Sequence, residues 1–154
     1  MLKFVFSISH QSSEIHEFDL GHLAVLNEHA KITSEGKEPD QGMMIFISVS
    51  QLLYVIEQLI SSKKNAAFEF NGADSSFSIV FKRYNDGTIG LWNSQKLFAK
   101  TTAEELIVSV WKGVRDFYEK YAENLIGSGA AKEDWDMGMA RYYEKFKEIV
   151  NKPE

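Results

Sequence analysis

Hydrophobic residues recur along this chain with two different periods, and the changes of period predict where strands and helices lie. Between residues 67 and 93, apolar and polar positions alternate, with the turn residues NG at 71–72 and NDG at 85–87 between the runs. Alternation indicates strands with one buried face, and Asn-Gly and Asp-Gly are preferred hairpin turns. The segment therefore predicts a three-stranded antiparallel meander.

Shorter strand-like runs occupy the first part of the chain. The stretches LKFVFSIS at 2–9 and EIHEFDL at 14–20 are rich in residues that favour β structure and predict two early strands. Residues 22–32 fit either a strand or one face of a helix, and a strand is the favoured interpretation.

The stretch TSEGKEPDQG at 33–42 contains several turn formers and acidic residues. It predicts an exposed loop and a candidate contact surface.

Three later segments repeat their apolar residues every three or four positions, which predicts amphipathic helices. They run from about 49 to 62, from 102 to about 125 and from about 132 to 150, and the last follows a glycine-containing link. The order of elements over residues 1–154 predicts a single α+β domain. We expect a largely antiparallel, twisted sheet with the helices packed mainly on one face.

Two of these helices begin with the spacing of a capping box, in which a hydroxyl and a carboxylate or amide three residues later satisfy free backbone amides. Ser48 and Gln51 fit this spacing at the first helix, and Thr102 and Glu105 fit it at the second. We therefore expect Ser48 and Thr102 to be the residues at which these helices start.

Composition and charge narrow the choice of partner. Cysteine is absent, which excludes disulfides, thiolate zinc sites and a cysteine nucleophile. The formal charge of −5 opposes attraction to nucleic acid or to an anionic membrane and favours a basic protein partner. No apolar run approaches the ~20 residues that span a bilayer, and the N-terminus lacks the apolar core of a signal peptide. We expect a cytoplasmic protein that binds neither membrane nor nucleic acid.

The sequence offers little for catalysis or metal binding. Four histidines stand at positions 10, 16, 22 and 29. Spacings of six residues separate neighbours by about 20 Å along a strand, which is too far for one metal ion. The chain carries no GxSxG, HExxH or GxxxxGK[ST] motif. We expect no enzyme, no metal and no cofactor.

Two aromatic stretches are the remaining candidates for a contact. In FKRYNDGTIGLW, at 81–92, alternation directs Phe81 and Arg83 inward and Tyr84 outward, and leaves the face of Trp92 open. In WDMGMARYYEKF, at 135–146, aromatic residues and methionines lie on most sides of the predicted helix. Such residues are enriched at interfaces, but a helix packed on two neighbours explains them as well.

A small, acidic, cysteine-free α+β chain with the EGKEPDQG loop, the FKRYNDGTIGLW hairpin and the WDMGMARYY helix resembles the immunity proteins of bacterial polymorphic or contact-dependent toxin systems. The resemblance is one of general organisation over the whole chain, and no family residue is carried over by a motif. It implies a cytoplasmic protein that binds a cognate toxin domain, often a basic nuclease, and neutralises it by covering its active site or a surface it needs.

From charge and aromatic character we expect contacts with the partner at Glu35, Glu38, Asp40, Tyr84, Asp86, Trp135 and Asp136. The alternative function is a small-ligand or regulatory binding domain that holds an apolar ligand on the sheet face, and an enzyme is the third. The rings for such a ligand site, which fit a core equally well, are Phe4, Phe6, Phe68, Phe70 and Phe81. The oligomeric state is open.

Overall fold

Three helices and ten strands make up the part of the chain that the computed structural model describes, which comprises residues 1–10, 14–126 and 129–153. The helices are α1 (Ile45–Ser61), α2 (Ala103–Tyr121) and α3 (Ala130–Val150), and a 3-10 turn follows α2 at Ala122–Asn124. The strands are β1 (Lys3–Ile8), β2 (Ile15–His16), β3 (Leu20–Leu26), β4 (Lys31–Thr33), β5 (Met43–Met44), β6 (Ala67–Asn71), β7 (Ser78–Arg83), β8 (Ile89–Asn93), β9 (Lys96–Thr101) and β10 (Leu125–Ile126). The predicted α+β class is confirmed.

The strands form two antiparallel four-stranded sheets rather than one continuous sheet. The N-terminal sheet has the order β1-β3-β4, with β5 also paired to β3. The meander sheet has the order β6-β7-β8-β9. In addition, β2 and β10 form a short parallel pair. The two sheets are separated along the chain by α1, which packs against strands of both.

The predicted meander is confirmed and has one strand more than expected. β8 turns into β9 through Ser94 and Gln95, whose φ angles are 51° and 66°. Two successive residues with positive φ are the mark of a type I′ hairpin turn, which normally uses Asn or Gly. Because neither residue is Asn or Gly, the turn has no strong sequence signal and β9 was not predicted.

The favoured strand interpretation of residues 22–32 is also confirmed, although a turn divides it. β3 ends at Leu26 and β4 begins at Lys31. Between them, the Asn27 side chain accepts hydrogen bonds from the amides of His29 and Ala30. An asparagine that bonds its own following backbone in this way is a common turn former.

The predicted start of the first helix is wrong. α1 begins at Ile45, and Ser48 lies inside its first turn. There the Ser48 hydroxyl donates to the Met44 carbonyl and accepts from the Ala73 amide, which ties α1 to the turn between β6 and β7. Ser48 and Gln51 therefore form no capping box.

The second helix starts as predicted but ends earlier. Thr102 accepts a hydrogen bond from the Glu105 amide. The Glu105 carboxylate does not complete the box, and instead accepts from the Thr101 hydroxyl and the Leu2 amide. The helix ends at Tyr121 because Leu125 and Ile126 leave it to pair with β2.

Hydrogen bonds fix the last helix at both of its ends. It starts after Gly129, whose φ is 90°, and the buried carboxylate of Glu17 accepts from the Ala131 amide. A carboxylate suits this position because the N-terminal end of a helix is electropositive. At the other end of α3, Lys145 donates to the Glu57 carbonyl and to the Ser61 hydroxyl of α1.

None of the helices in the described ranges is long and apolar enough to cross a membrane.

Helix α2 lies across β1 at close range, and a glycine makes that possible. A Cβ built on Gly113 would stand 2.4 Å from the Phe4 carbonyl oxygen, far inside van der Waals contact. By contrast, a Cβ on Gly138 of α3 would stand 3.5 Å from the nearest side-chain atom, Leu53 Cδ1, which is an ordinary contact. The close approach of α2 to β1 therefore requires a glycine at position 113, whereas the packing of α3 leaves room for a Cβ at position 138.

Replacing each of these glycines by alanine should affect stability differently. We expect Gly113→Ala to lower the free energy of unfolding by about 1 to 3 kcal/mol, because the methyl group overpacks the contact with β1. We expect Gly138→Ala to be neutral or to stabilise by up to about 1 kcal/mol, the gain in helix propensity. Urea unfolding of both variants measures this, and equal changes would contradict the close approach of α2 to β1.

Candidate protein-binding site

A surface groove with a volume of about 540 Å³ runs between α1, β6 and α3. Two large hydrophobic side chains in it are exposed, one from each helix, Tyr54 at 54% and Met137 at 63%. The residues that line it are Ser50, Gln51, Tyr54, Val55, Glu69, Phe70, Asn71, Asp134, Met137 and Arg141. We call this feature the α1–α3 groove.

The packing of α1 against α3 explains why Tyr54 and Met137 remain exposed. In α1, Leu53 is fully buried, so its neighbour Tyr54 points away from the core. In α3, Trp135 and Gly138 face the core, which leaves Met137 outside. Tyrosine and methionine are enriched at protein interfaces, which makes this pair a candidate contact.

The rim of the α1–α3 groove is acidic. Glu69 of β6 and Asp134 of α3 are both exposed. The groove is also lined by the basic residue Arg141, whose Nε lies 3.1 and 3.2 Å from the two carboxylate oxygens of Glu57. Because Glu57 is only 5% exposed, this ion pair is partly shielded and Arg141 is largely neutralised. The local field favours a cationic ligand.

The acidic loop predicted at 33–42 lies on the surface, with Glu35, Glu38 and Asp40 all exposed. Asp40 accepts a hydrogen bond from the Gly42 amide and thereby shapes the end of the loop. The Ser75 hydroxyl donates to the Gln41 carbonyl and joins the loop to the turn between β6 and β7. That turn leads directly from β6 and the α1–α3 groove, so the acids stand on a neighbouring part of the surface.

The hairpin residue Tyr84 is held by its own sheet. Its hydroxyl accepts from Trp92 Nε1 at 3.0 Å, so both rings lie on the same face of the meander sheet. A Cβ on Gly90 would stand 2.7 Å from the Tyr84 hydroxyl, which shows how closely the ring crosses that strand. Lys100 Nζ lies 4.5 Å from the centre of the Tyr84 ring and Lys82 Nζ 5.5 Å. Tyr84 thus belongs to a local aromatic and cationic cluster.

The hairpin acid Asp86 is also occupied within the chain. Its carboxylate accepts hydrogen bonds from the hydroxyl and the amide of Thr88, and these lower the pKa of Asp86. The two bonds fix the turn between β7 and β8. Tyr84 and Asp86 stay predictions as partner contacts, and the structure gives each of them a role in the hairpin.

The prediction that Trp135 contacts a partner is wrong, because its side chain is fully buried. Its ring packs between helices, with ring centres 5.6 Å from Phe46, 5.4 Å from Phe117 and 4.9 Å from Tyr118. The sequence pattern gave no way to tell this buried tryptophan from the exposed Met137 two residues later.

Asp136 forms a bridge between α2 and α3. One carboxylate oxygen accepts from the Tyr118 hydroxyl at 2.5 Å and the other from Lys132 Nζ at 2.9 Å. Burial raises the pKa of Asp136, but the two hydrogen bonds and the positive charge of Lys132 outweigh it and lower the pKa below its usual value. The bond to Asp136 also raises the pKa of Tyr118. Asp136 therefore has a structural role, whichever partner binds.

Neither a metal site nor the apolar-ligand site of the alternative function is assembled in the described ranges. No group of three or more His, Asp or Glu side chains there is arranged to hold a metal ion. The rings proposed for an apolar ligand form part of the core, with Phe4, Phe6, Phe70 and Phe81 buried and Phe68 packed against them. Of these, Phe70 reaches the α1–α3 groove.

Replacing Asp136 by asparagine should remove a stabilisation that depends on pH. A carboxyl whose pKa is lowered by folding stabilises the protein above its unfolded pKa, about 4, and this is lost as the pH falls through the folded pKa. We expect Asp136→Asn to be less stable than the parent at pH 7 and the difference to shrink towards pH 2. Urea unfolding across this range measures it, with Asp134→Asn as the matched exposed control. A difference independent of pH would contradict the bridge.

No known protein family, curated protein or solved structure matches this chain. Family membership therefore assigns no role to any residue. The arrangement that stands out on geometry alone is the α1–α3 groove, with two exposed interface-type side chains and an acidic rim.

Proposed function

We propose that this protein binds and neutralises a basic protein, as an immunity protein does for its cognate toxin domain. The observation that carries the proposal is the exposure of Tyr54 and Met137 on either side of the α1–α3 groove, with Glu69 and Asp134 on its rim. An apolar centre surrounded by charged residues is the usual anatomy of a protein interface.

The rigidity of the groove supports an inhibitor rather than a flexible adaptor. Both helical walls rest on buried side chains, including Leu53 in α1 and Trp135 and Tyr142 in α3. The Tyr142 hydroxyl donates to the Ile107 carbonyl, which fixes α3 against α2 as well. A surface that is already ordered loses little conformational entropy on binding, and this favours slow dissociation.

The charge of the protein supports a basic partner. The net charge is −5, and the exposed acids Glu35, Glu38 and Asp40 stand on the loop next to the turn that follows β6. Acids of this kind accelerate encounter with a cationic protein and orient it before close contact forms. Capture would cover the partner's own basic surface, which a nuclease needs to bind its substrate.

The groove side chains should dominate the affinity. The partner to test is the product of the neighbouring upstream gene, co-expressed in a growth assay and measured by isothermal titration. We expect Tyr54→Ala and Met137→Ala each to weaken binding by about tenfold or more, which is about 1.4 kcal/mol. Leu97→Ala is the matched control, because Leu97 is 44% exposed on the opposite edge strand, β9. If the gene product neither binds nor harms cells, the proposed function is wrong.

The acidic loop should act mainly on the rate of association. We expect the double variant Glu35→Lys, Glu38→Lys to slow association and to reduce its dependence on salt, because exposed charges act at a distance that ions screen. Both side chains are exposed, so stability should change little. Stopped-flow association between low and high salt measures this, and an unchanged salt slope would remove the loop from the binding surface.

A further inference from the structure

Strand β6 is an edge of the meander sheet, and one side of its backbone faces the α1–α3 groove. Among the described residues, β7 is the strand that pairs with it. The pairing places Glu69 opposite Val80 and Phe70 opposite Ile79. The other long side of β6 has no strand beside it in this part of the chain.

The hydrogen bonds at the two ends of the β6–β7 ladder show which residues face outward. The Arg83 amide donates to the Ala66 carbonyl, and the Gly72 amide donates to the Phe77 carbonyl. Because hydrogen-bonded pairs alternate along an antiparallel ladder, Phe68 and Phe70 direct their backbone groups towards β7. The residues whose amide and carbonyl groups point away from β7 are therefore Ala67, Glu69 and Asn71.

These three outward residues are all exposed, and two of them line the groove. The opposite side of the groove is formed by α3, through Asp134, Met137 and Arg141. An added strand lies about 4.7 to 4.9 Å from its neighbour, and the groove borders β6 where such a strand would run. Ser50 also lines the groove, and its Oγ is buried with no hydrogen-bond partner among the described residues.

We infer that the partner binds by adding an extended, alternately basic and apolar segment to the outer edge of β6 as a fifth strand of the meander sheet. The inference rests on the proposed function, since it names the form in which the basic partner enters the α1–α3 groove. Backbone hydrogen bonds to Ala67, Glu69 and Asn71 give affinity for any extended chain, and the side chains around them select which one.

The side-chain pattern follows from the alternation of β6. Phe68 and Phe70 turn towards the core, so alternate residues of the added strand turn the same way and meet Tyr54 and Met137. These positions call for apolar side chains. The intervening residues lie on the same face as Glu69, where a lysine or arginine forms a cross-strand pair with its carboxylate.

Glu69 also disfavours pairing between two copies of this protein. An antiparallel β6–β6 pair centred on this residue would bring two Glu69 carboxylates side by side, and like charges directly opposite destabilise a sheet. Charged residues in edge strands are a common defence against such association. The same carboxylate attracts a cationic strand, so the edge disfavours pairing with a second copy of β6 and still accepts a basic segment.

Amide hydrogen exchange tests the inference on the unaltered protein. The probe is a short capped peptide that alternates valine with lysine. We expect the amides of Ala67, Glu69 and Asn71 to exchange fast in the free protein and to slow by about tenfold or more with saturating peptide, while those of Phe68 and Phe70 are slow throughout. If the three outward amides do not slow, the inference is overturned.

Two N-methylated forms of the peptide provide matched controls of equal charge. In antiparallel pairing, which is slightly more stable per residue, the lysines lie opposite Glu69 and their amides face β6. N-methylation of the lysines should therefore weaken binding by about tenfold or more, whereas N-methylation of the valines should change it by less than about threefold. Equal effects of the two forms would indicate attraction by charge alone and would overturn strand addition.

A proline at Glu69 extends the test to the full partner. Proline is tolerated where a strand amide faces outward, so Glu69→Pro should keep the β6–β7 ladder and remove the central outward donor. We expect Glu69→Pro to weaken binding of the neighbouring gene product by about tenfold more than Glu69→Gln does, which is the control for the lost charge. If that protein binds but Glu69→Pro matches Glu69→Gln and the outward amides do not slow, strand addition is wrong and the proposed function stands. If the peptide protects the edge but the gene product does not bind, the proposed partner is wrong and the edge site stands.

Discussion

The burial of Trp135 among the rings of Phe46, Phe117 and Tyr118 is the contact on which the surface of this protein depends. Phe46 belongs to α1, and Phe117 and Tyr118 belong to α2, so the indole fixes α3 against both helices. Aromatic side chains bury large areas and prefer defined tilted arrangements, which gives such a cluster both strength and direction. Once α3 is fixed there, Met137 must face Tyr54 across the groove, and Asp134 must stand on its rim.

The same arrangement separates the residues that maintain the fold from those that are free to bind. Arg83 donates to the carbonyls of Ile60 and Ser62 at the end of α1, and Asp136 joins α2 to α3. Both charged groups therefore serve contacts within the chain. By contrast, Tyr54 and Met137 are large hydrophobic side chains that lie exposed. Charge and hydrophobicity alone therefore do not decide which residues are free to bind.

Sequence periodicity predicted the regular parts of the fold and failed where distant contacts decide. The meander and the long helices follow from local alternation and spacing. The start of α1 was misplaced because Ser48 bonds to Ala73, which is adjacent only in the folded chain. β9 was missed because Ser94 and Gln95 adopt positive φ without the residues that usually signal it. For the binding site, periodicity indicated the acidic loop and the region of α3, but not which side of that helix is exposed.

The carboxylate of Glu17 that receives the amide of Ala131 joins parts of the chain 114 positions apart. Contacts of such separation form late, because a long loop must close before they contribute. A nascent chain on the ribosome therefore carries β6 without the facing wall of α3 until residues 130–150 have emerged and packed. During that interval the outer edge of β6 is accessible to chaperones and to non-specific strand pairing, and α3 afterwards limits access to segments that fit the groove.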